Sequence, residues 1–146
     1  GKELPLPNGN SFFDKDGNER NHVRIKWYDL PEGKSFREYT LPTVNEAPED
    51  LIPEPFAKRL SPYPKNDPPV FFGHYWLRED HPTCMSPNVV CGDYSVAKGG
   101  RLCAYRWNRN EQLSDDKVIG VASRSEVMRQ LNVSRLPMLG AYQSGG

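Results

Sequence analysis

Cysteine is scarce in this chain, at three residues in 146, and Cys84, Cys91 and Cys103 form no Cys-x-x-Cys pair. An odd count without that spacing excludes a disulfide framework and a cysteine-based zinc motif. It leaves reduced thiols, as kept in the cytoplasm, which is the expected location. Hydrophobic residues make up only 36% of the chain, and no apolar run approaches the roughly 20 residues that span a membrane. No charged-then-apolar stretch opens the chain, so no signal peptide is expected. An excess of one charge is lacking too. Nineteen basic and nineteen acidic residues cancel, with 9 against 11 over residues 1–60 and 10 against 8 over residues 61–146. That balance argues against nucleic acid and against a membrane surface as partners. There is no Walker A loop, no Gly-x-Gly-x-x-Gly, no nucleophile elbow Gly-x-Ser-x-Gly and no internal repeat. The first residue is Gly1 rather than methionine, as expected of a processed product or an excised piece.

Proline, in contrast, is plentiful. Eight of the 14 prolines lie between Pro42 and Pro69. Proline removes backbone donors and resists helix interiors and central strands. Residues 31–69 are therefore expected to be an irregular connection, with one short helical turn between Asp50 and Leu60. Tyr39, Leu41, Leu51, Ile52, Phe56 and Leu60 would pin it to a surface, since a disordered segment rarely carries so many apolar anchors.

Strand signals flank this connection. Ser11-Phe12-Phe13 and a return strand from Asn21 to Tyr28 predict a hairpin turning at Asp16-Gly17. Val23, Ile25 and Trp27 alternate with Arg24 and Lys26, so one face is buried and the other basic. Further strands are predicted at Pro69–Phe72, Asn88–Cys91, Arg101–Trp107 and Lys117–Val121, with a polar loop from Leu77 to Pro87. Ser123-x-x-Glu126 is a capping-box pattern that starts a short helix at 124–132. The fold expected is one β-rich α+β domain over residues 1–146. It has an antiparallel sheet, long Pro-rich irregular segments, a short C-terminal helix and a mobile tail at 140–146.

Few residues are candidates for chemistry. His74 follows Gly73 at the exit of a strand, where its imidazole serves either as a ligand for a divalent metal or as a histidine hydrogen-bonded at a turn. Gly73 frees the backbone for a sharp turn or a close approach. His22 and His81 read as solvated. Lys98-Gly99-Gly100-Arg101 reads as a hairpin turn, or as an anion site built from backbone amides with Lys98 and Arg101. Asp14, Asp16 and Asn18 have the spacing of a calcium loop, but the required glycine falls at Glu19 and the closing glutamate at Ile25, which leaves a plain turn.

The stretch Pro69-Val70-Phe71-Phe72-Gly73-His74-Tyr75-Trp76-Leu77, with Asn88-Val89-Val90-Cys91-Gly92-Asp93-Tyr94-Ser95-Val96-Ala97-Lys98-Gly99-Gly100-Arg101-Leu102-Cys103-Ala104-Tyr105-Arg106-Trp107, resembles the C-terminal part of bacterial calcineurin-like metallophosphoesterases. These are the serine/threonine-phosphatase and dinucleoside-tetraphosphatase-like members. The segment Leu4-Pro5-x-Pro7-x-Gly9-x-Ser11-Phe12-x-Asp14-Lys15-Asp16-Gly17 resembles the middle of such proteins, so the likeness spans about residues 3–113. It implies part of a β-sandwich around two divalent metals, manganese, iron or zinc, and hydrolysis of a phosphoester. It implies that His74 is one metal ligand, that Lys98 and Arg101 contact phosphate, and that Gly73, Gly99 and Gly100 shape the site. The family's Asp-x-His, Gly-Asp-x-x-Asp-Arg-Gly and Gly-Asn-His-Glu motifs do not occur here. The resemblance therefore implies a part of the enzyme with no catalytic residue of its own, weak or no metal binding in isolation, and no activity alone. Half of a sandwich would also tend to self-associate through its uncovered sheet face. The alternatives are a non-catalytic binding module on the same scaffold, or a subunit that completes its site with another chain.

Overall fold

The computed structural model describes residues 2–14, 16–109 and 111–133. The tail at 140–146 lies outside them. Among the described residues the chain is strand-rich α+β, with ten short strands and three α-helices.

The N-terminal part holds β1 (Glu3–Pro5), β2 (Phe12–Phe13), β3 (Glu19–Arg20) and β4 (His22–Arg24). The turn at Asp16-Gly17 forms as expected. Gly17 adopts a φ of 80°, and its amide donates to the Asp14 carbonyl at 2.9 Å. The long return strand does not form. Only Glu19 and Arg20 pair back onto Phe13 and Phe12, the chain bends at Asn21, and β4 pairs antiparallel with β1. The reason is burial. Val23 and Ile25 are almost fully enclosed with Leu4, Leu6, Phe36, Tyr39, Ala47, Ile52 and Ala57, and the N-terminal segment supplies the nearest strand edge for them.

The Pro-rich segment packs, as its apolar anchors predict, although Leu51 and Phe56 stay exposed. It holds α1 (Phe36–Tyr39) and α2 (Glu54–Ala57), each a single turn. Ser35 and Glu38 form a reciprocal capping box on α1, a contribution of about 1 kcal/mol. Three buried polar groups of this region are satisfied. Tyr39 donates its hydroxyl to the Asp29 carbonyl, Thr40 donates to the Arg37 carbonyl, and Asn88 donates its amide to the carbonyls of Pro64 and Asp67 at 2.7 and 3.0 Å. Asn88 thereby ties the proline-rich connection to the strand that follows it. Asn88→Ala is expected to cost about 2–3 kcal/mol in urea unfolding, because two carbonyls lose their partner inside the fold.

The second half holds β5 (Val70–Phe72), β6 (Cys84–Ser86), β7 (Val89–Cys91), β8 (Asp93–Tyr94), β9 (Arg101–Tyr105), β10 (Val118–Ala122) and α3 (Arg124–Val133). β7 is buried along its whole length, as a central strand with an unbroken apolar run should be. The sheet β5-β7-β6 is mixed rather than antiparallel, since β5 runs parallel to β7. The loop expected between Leu77 and Pro87 contributes β6 to the far edge of β7. Gly92 separates β7 from β8, and the chain passes there into a second sheet, β10-β9-β8, which is antiparallel. The two sheets meet where Cys103 packs against the cluster that holds Cys91 and where the Phe71 and Tyr105 rings touch at a tilt, 5.6 Å apart. Trp27 joins the N-terminal part to this core through ring contacts with Tyr28, Tyr63 and Phe72. α3 starts where the capping pattern places it, with the Glu126 amide donating to Ser123 Oγ at 3.2 Å.

Candidate functional site

The loop after β5 holds two of the unusual backbone conformations of the described residues. His74 and Trp76 adopt left-handed conformations, with φ of 70° and 53°. Such a conformation costs an L residue about 1–2 kcal/mol, so something must hold it. Asp93, at the start of β8, does so. Its carboxylate accepts the Trp76 amide at 3.3 Å and the Ser95 amide at 3.1 Å, and its carbonyl accepts the Leu77 amide at 3.1 Å. Leu77 is completely buried and anchors the end of the loop, and the Ser95 hydroxyl donates to the Leu77 carbonyl at 3.0 Å. The sharp turning is thus carried by His74 and Trp76. A Cβ on Gly73 would meet Asp93 Cβ at an ordinary 3.5 Å.

His74 is exposed at the edge of a cleft of about 720 Å³. The loop contributes His74, Tyr75, Trp76 and Arg78 to its lining, the β1–β4 pair contributes Glu3, His22 and Arg24, and the hairpin contributes Phe12, Asp14 and Arg20. Two of the three histidines therefore face one cleft, although they stand far apart in sequence, and His81 is not among its lining residues. Its charges are partly paired. Arg20 Nε donates to Asp14 at 2.9 Å, and Arg24 lies 3.8 Å from Glu3 and over the Tyr75 ring. Arg78 has no ion-pair partner among the described residues.

The two cations predicted to flank an anion part company. Lys98 Nζ sits 3.7 Å above the Trp76 ring, which brings it to the His74 loop. Arg101 instead turns to Glu126, 3.4 Å away and half-buried. Gly99 adopts a φ of 81° to end the short turn at Val96–Lys98.

Two groups of candidate ligands are occupied elsewhere. The Asp14 carboxylate accepts the Asn18 and Asp16 amides at 2.9 and 3.0 Å, so the acidic spacing there builds a turn. The Asn18 amide above all, with Arg20 and the Asp16 amide, pulls the Asp14 carboxyl down to about 2. Its folded value lies below its unfolded one. The turn is therefore fully held above about pH 4 and loosens as pH falls from there through about 2. A carbon-detected titration should place the Asp14 midpoint near 2 and show the Asn18 amide losing protection over the same interval; a midpoint near 3.8 would contradict the hydrogen-bond assignment. Burial pushes the Cys84 and Cys91 thiols up to about 11 and Cys103 upward too, so none is a ready thiolate ligand at neutral pH.

Among the described residues no group of three or more His, Cys, Asp or Glu side chains converges to hold a metal ion. His74 can supply one ligand, and the described donors do not complete a site around it. No described helix is long and apolar enough to cross a membrane. No family model, curated protein or solved structure matches the chain at a significant level.

Proposed function

We propose that this chain is the C-terminal part of a calcineurin-like metallophosphoesterase, in which His74 is one ligand of a divalent metal. The observation that carries this reading is the display of His74. A left-handed histidine at a strand exit, with its ring exposed at the edge of a cleft, is the kind of strained residue that clusters at functional sites. Arg78 in the cleft lining, and Lys98 reaching the Trp76 ring from the turn at Val96–Lys98, add cations near His74, suited to the charge of a phosphoester. The two sheets that share the chain around Gly92 suit part of a β-sandwich. The described donors do not complete a metal site, so in this reading the remaining ligands come from elsewhere and the chain alone is inactive. Manganese, iron or zinc suits an imidazole-containing site, and the three free thiols suit the cytoplasm.

The cleft itself favours a second reading, a binding module without turnover. Phe12, Tyr75 and Trp76 offer apolar faces, and Arg78, His22 and His74 offer donors, an arrangement suited to an anionic ligand.

The coding frame upstream of Gly1 separates the two. Asp-x-His and Gly-Asn-His-Glu encoded there, with manganese-dependent hydrolysis of p-nitrophenyl phosphate by the whole product, support the phosphoesterase. A frame without them, and binding of phosphate without hydrolysis, supports the module. Hydrolysis by the isolated 146 residues above a His74→Ala control would contradict the view that the site is incomplete.

A further inference from the structure

Two loops close on Asp93. Residues 73–76 leave β5 and return beside it, because the Gly92 amide donates to the Phe72 carbonyl at 2.8 Å and the Leu77 amide donates to the Asp93 carbonyl at 3.1 Å. Both ends of that loop are thus fastened to adjacent residues. The Asp93 carboxylate then reaches inside each loop. One oxygen accepts the Trp76 amide at 3.3 Å, and the other accepts the Ser95 amide at 3.1 Å. Trp76 and Ser95 are both left-handed, with φ of 53° and 59°, a conformation that persists only where its surroundings hold it. Ser95 opens the turn Val96–Lys98, and its carbonyl accepts the Lys98 and Gly100 amides at 2.8 and 3.0 Å. Lys98 Nζ lies 3.7 Å over the Trp76 ring, and the His74 ring meets that indole edge-on, 6.4 Å away between centres. The contacts form a closed circuit from Asp93 to Trp76, from Trp76 to Lys98, from Lys98 to Ser95, and from Ser95 back to Asp93.

We propose that Asp93 is a positioning residue, whose carboxylate fixes the Lys98 ammonium relative to the His74 imidazole around the Trp76 indole, so that an anion on a metal at His74 meets Lys98. This role rests on the reading of His74 as a metal ligand. The chemistry of the circuit calls for a carboxylate. Two amides converge on it from different loops, and a carboxylate takes both without turning a donor towards either. A side-chain amide has one acceptor oxygen, and its NH2 would face the other N–H. Among the described residues no ion pair includes Asp93, so its charge serves these two amides. Lysine is a compact charge on a flexible stem, and the indole face gives it one seat. That seat is exposed, as is His74, so both groups stay open to a ligand.

Nuclear magnetic resonance on the full chain tests this, first without metal. The indole should shift the Lys98 ε-protons upfield, and the His74, Trp76 and Ser95 backbone should carry left-handed chemical shifts. Asp93→Ala should lose the Lys98 shift and the left-handed signature of Trp76 and Ser95. Asp93→Asn keeps one acceptor oxygen, so it should hold the closer Ser95 amide, release Trp76 and again lose the Lys98 shift. Ser95→Ala is the control for stability. It removes the bond from the Ser95 hydroxyl to the Leu77 carbonyl and keeps both amides on Asp93, so its urea midpoint should fall while the Lys98 shift stays. Manganese(II) is then added. In the unaltered chain it should broaden His74 and the Lys98 ε-signals together. In Asp93→Ala it should still broaden His74, and most of the broadening at Lys98 should be lost. A Lys98 shift unchanged in Asp93→Ala, an equal loss in Ser95→Ala, or Lys98 broadening that follows His74 in every variant would each overturn the positioning role. Absence of broadening at His74 in the unaltered chain would instead overturn the metal reading, and the proposal with it, whatever the metal-free shifts show.

Discussion

Gly100→Ala is expected to destabilise the fold by about 3–5 kcal/mol, enough to leave the variant largely unfolded at moderate denaturant. A Cβ at this position would lie 2.1 Å from the Tyr94 carbonyl oxygen and 3.1 Å from the Ser95 carbonyl carbon. Both are backbone atoms, so no side-chain rotation relieves the overlap. The backbone cannot move freely either. The Gly100 amide donates to the Ser95 carbonyl at 3.0 Å, its carbonyl accepts the Ser123 amide at 2.9 Å, and β8 pairs with β9 immediately beside it. Displacing Gly100 would therefore disturb the turn after β8, the start of β9 and the approach to α3 together. Gly73→Ala is the contrasting control, since its Cβ meets only Asp93 Cβ at contact distance, and a change below about 1 kcal/mol is expected. Parallel urea melts would decide. A Gly100→Ala midpoint close to that of Gly73→Ala would show that the chain crossing at Tyr94 is not as close as described.

His74→Ala is the second large effect, and it falls on chemistry rather than on stability. The His74 ring is exposed and its nearest aromatic neighbour, Trp76, is 6.4 Å away between ring centres, so little packing is lost. If His74 ligates a metal in a completed phosphoesterase, removing it should lower manganese-dependent hydrolysis more than about 100-fold, since loss of even a ligand's hydrogen-bond partner costs 10–100-fold. The thermal midpoint should stay within about 2 °C. His22→Ala, in the same cleft but not at the strand exit, should lose far less. Equal losses from both would point to ligand binding by the cleft as a whole. A large loss of stability in His74→Ala would make the histidine a structural one.

Part of this was legible in the chain itself, where the signal is local. Val89–Cys91 is a short apolar run bounded by turn residues, and it becomes the buried central strand. Asp16-Gly17 needs only its neighbours to turn, and Ser123-x-x-Glu126 to cap α3. The misses are long-range. Nothing near Asn21 says that β4 abandons the hairpin for β1, because that choice follows from burying Val23 and Ile25 beside Leu4 and Leu6. Nothing near Phe72 says that β5 lies parallel to β7. Cys84-Met85-Ser86 carries no strand pattern, and it becomes one by completing an edge. At the site, the glycine of Gly73-His74 signals a sharp turn, yet the left-handed residues are His74 and Trp76, and Asp93 accepts the Trp76 amide. The meeting of His22 and His74 at one cleft has no sequence signature, since it depends on how the hairpin and the β5 loop pack.

The role proposed for His74 is one ligand of a metal site that the described residues do not complete. Titration of manganese(II) into the isotope-labelled chain, followed at the three imidazole side chains, tests that most directly. Paramagnetic broadening should strike His74 first, leave His81 nearly untouched, follow a weak dissociation constant of about 1 mM, equivalent to about 4 kcal/mol, and vanish in His74→Ala. Broadening of all three histidines alike, no effect at His74, or micromolar binding by this chain alone would contradict it.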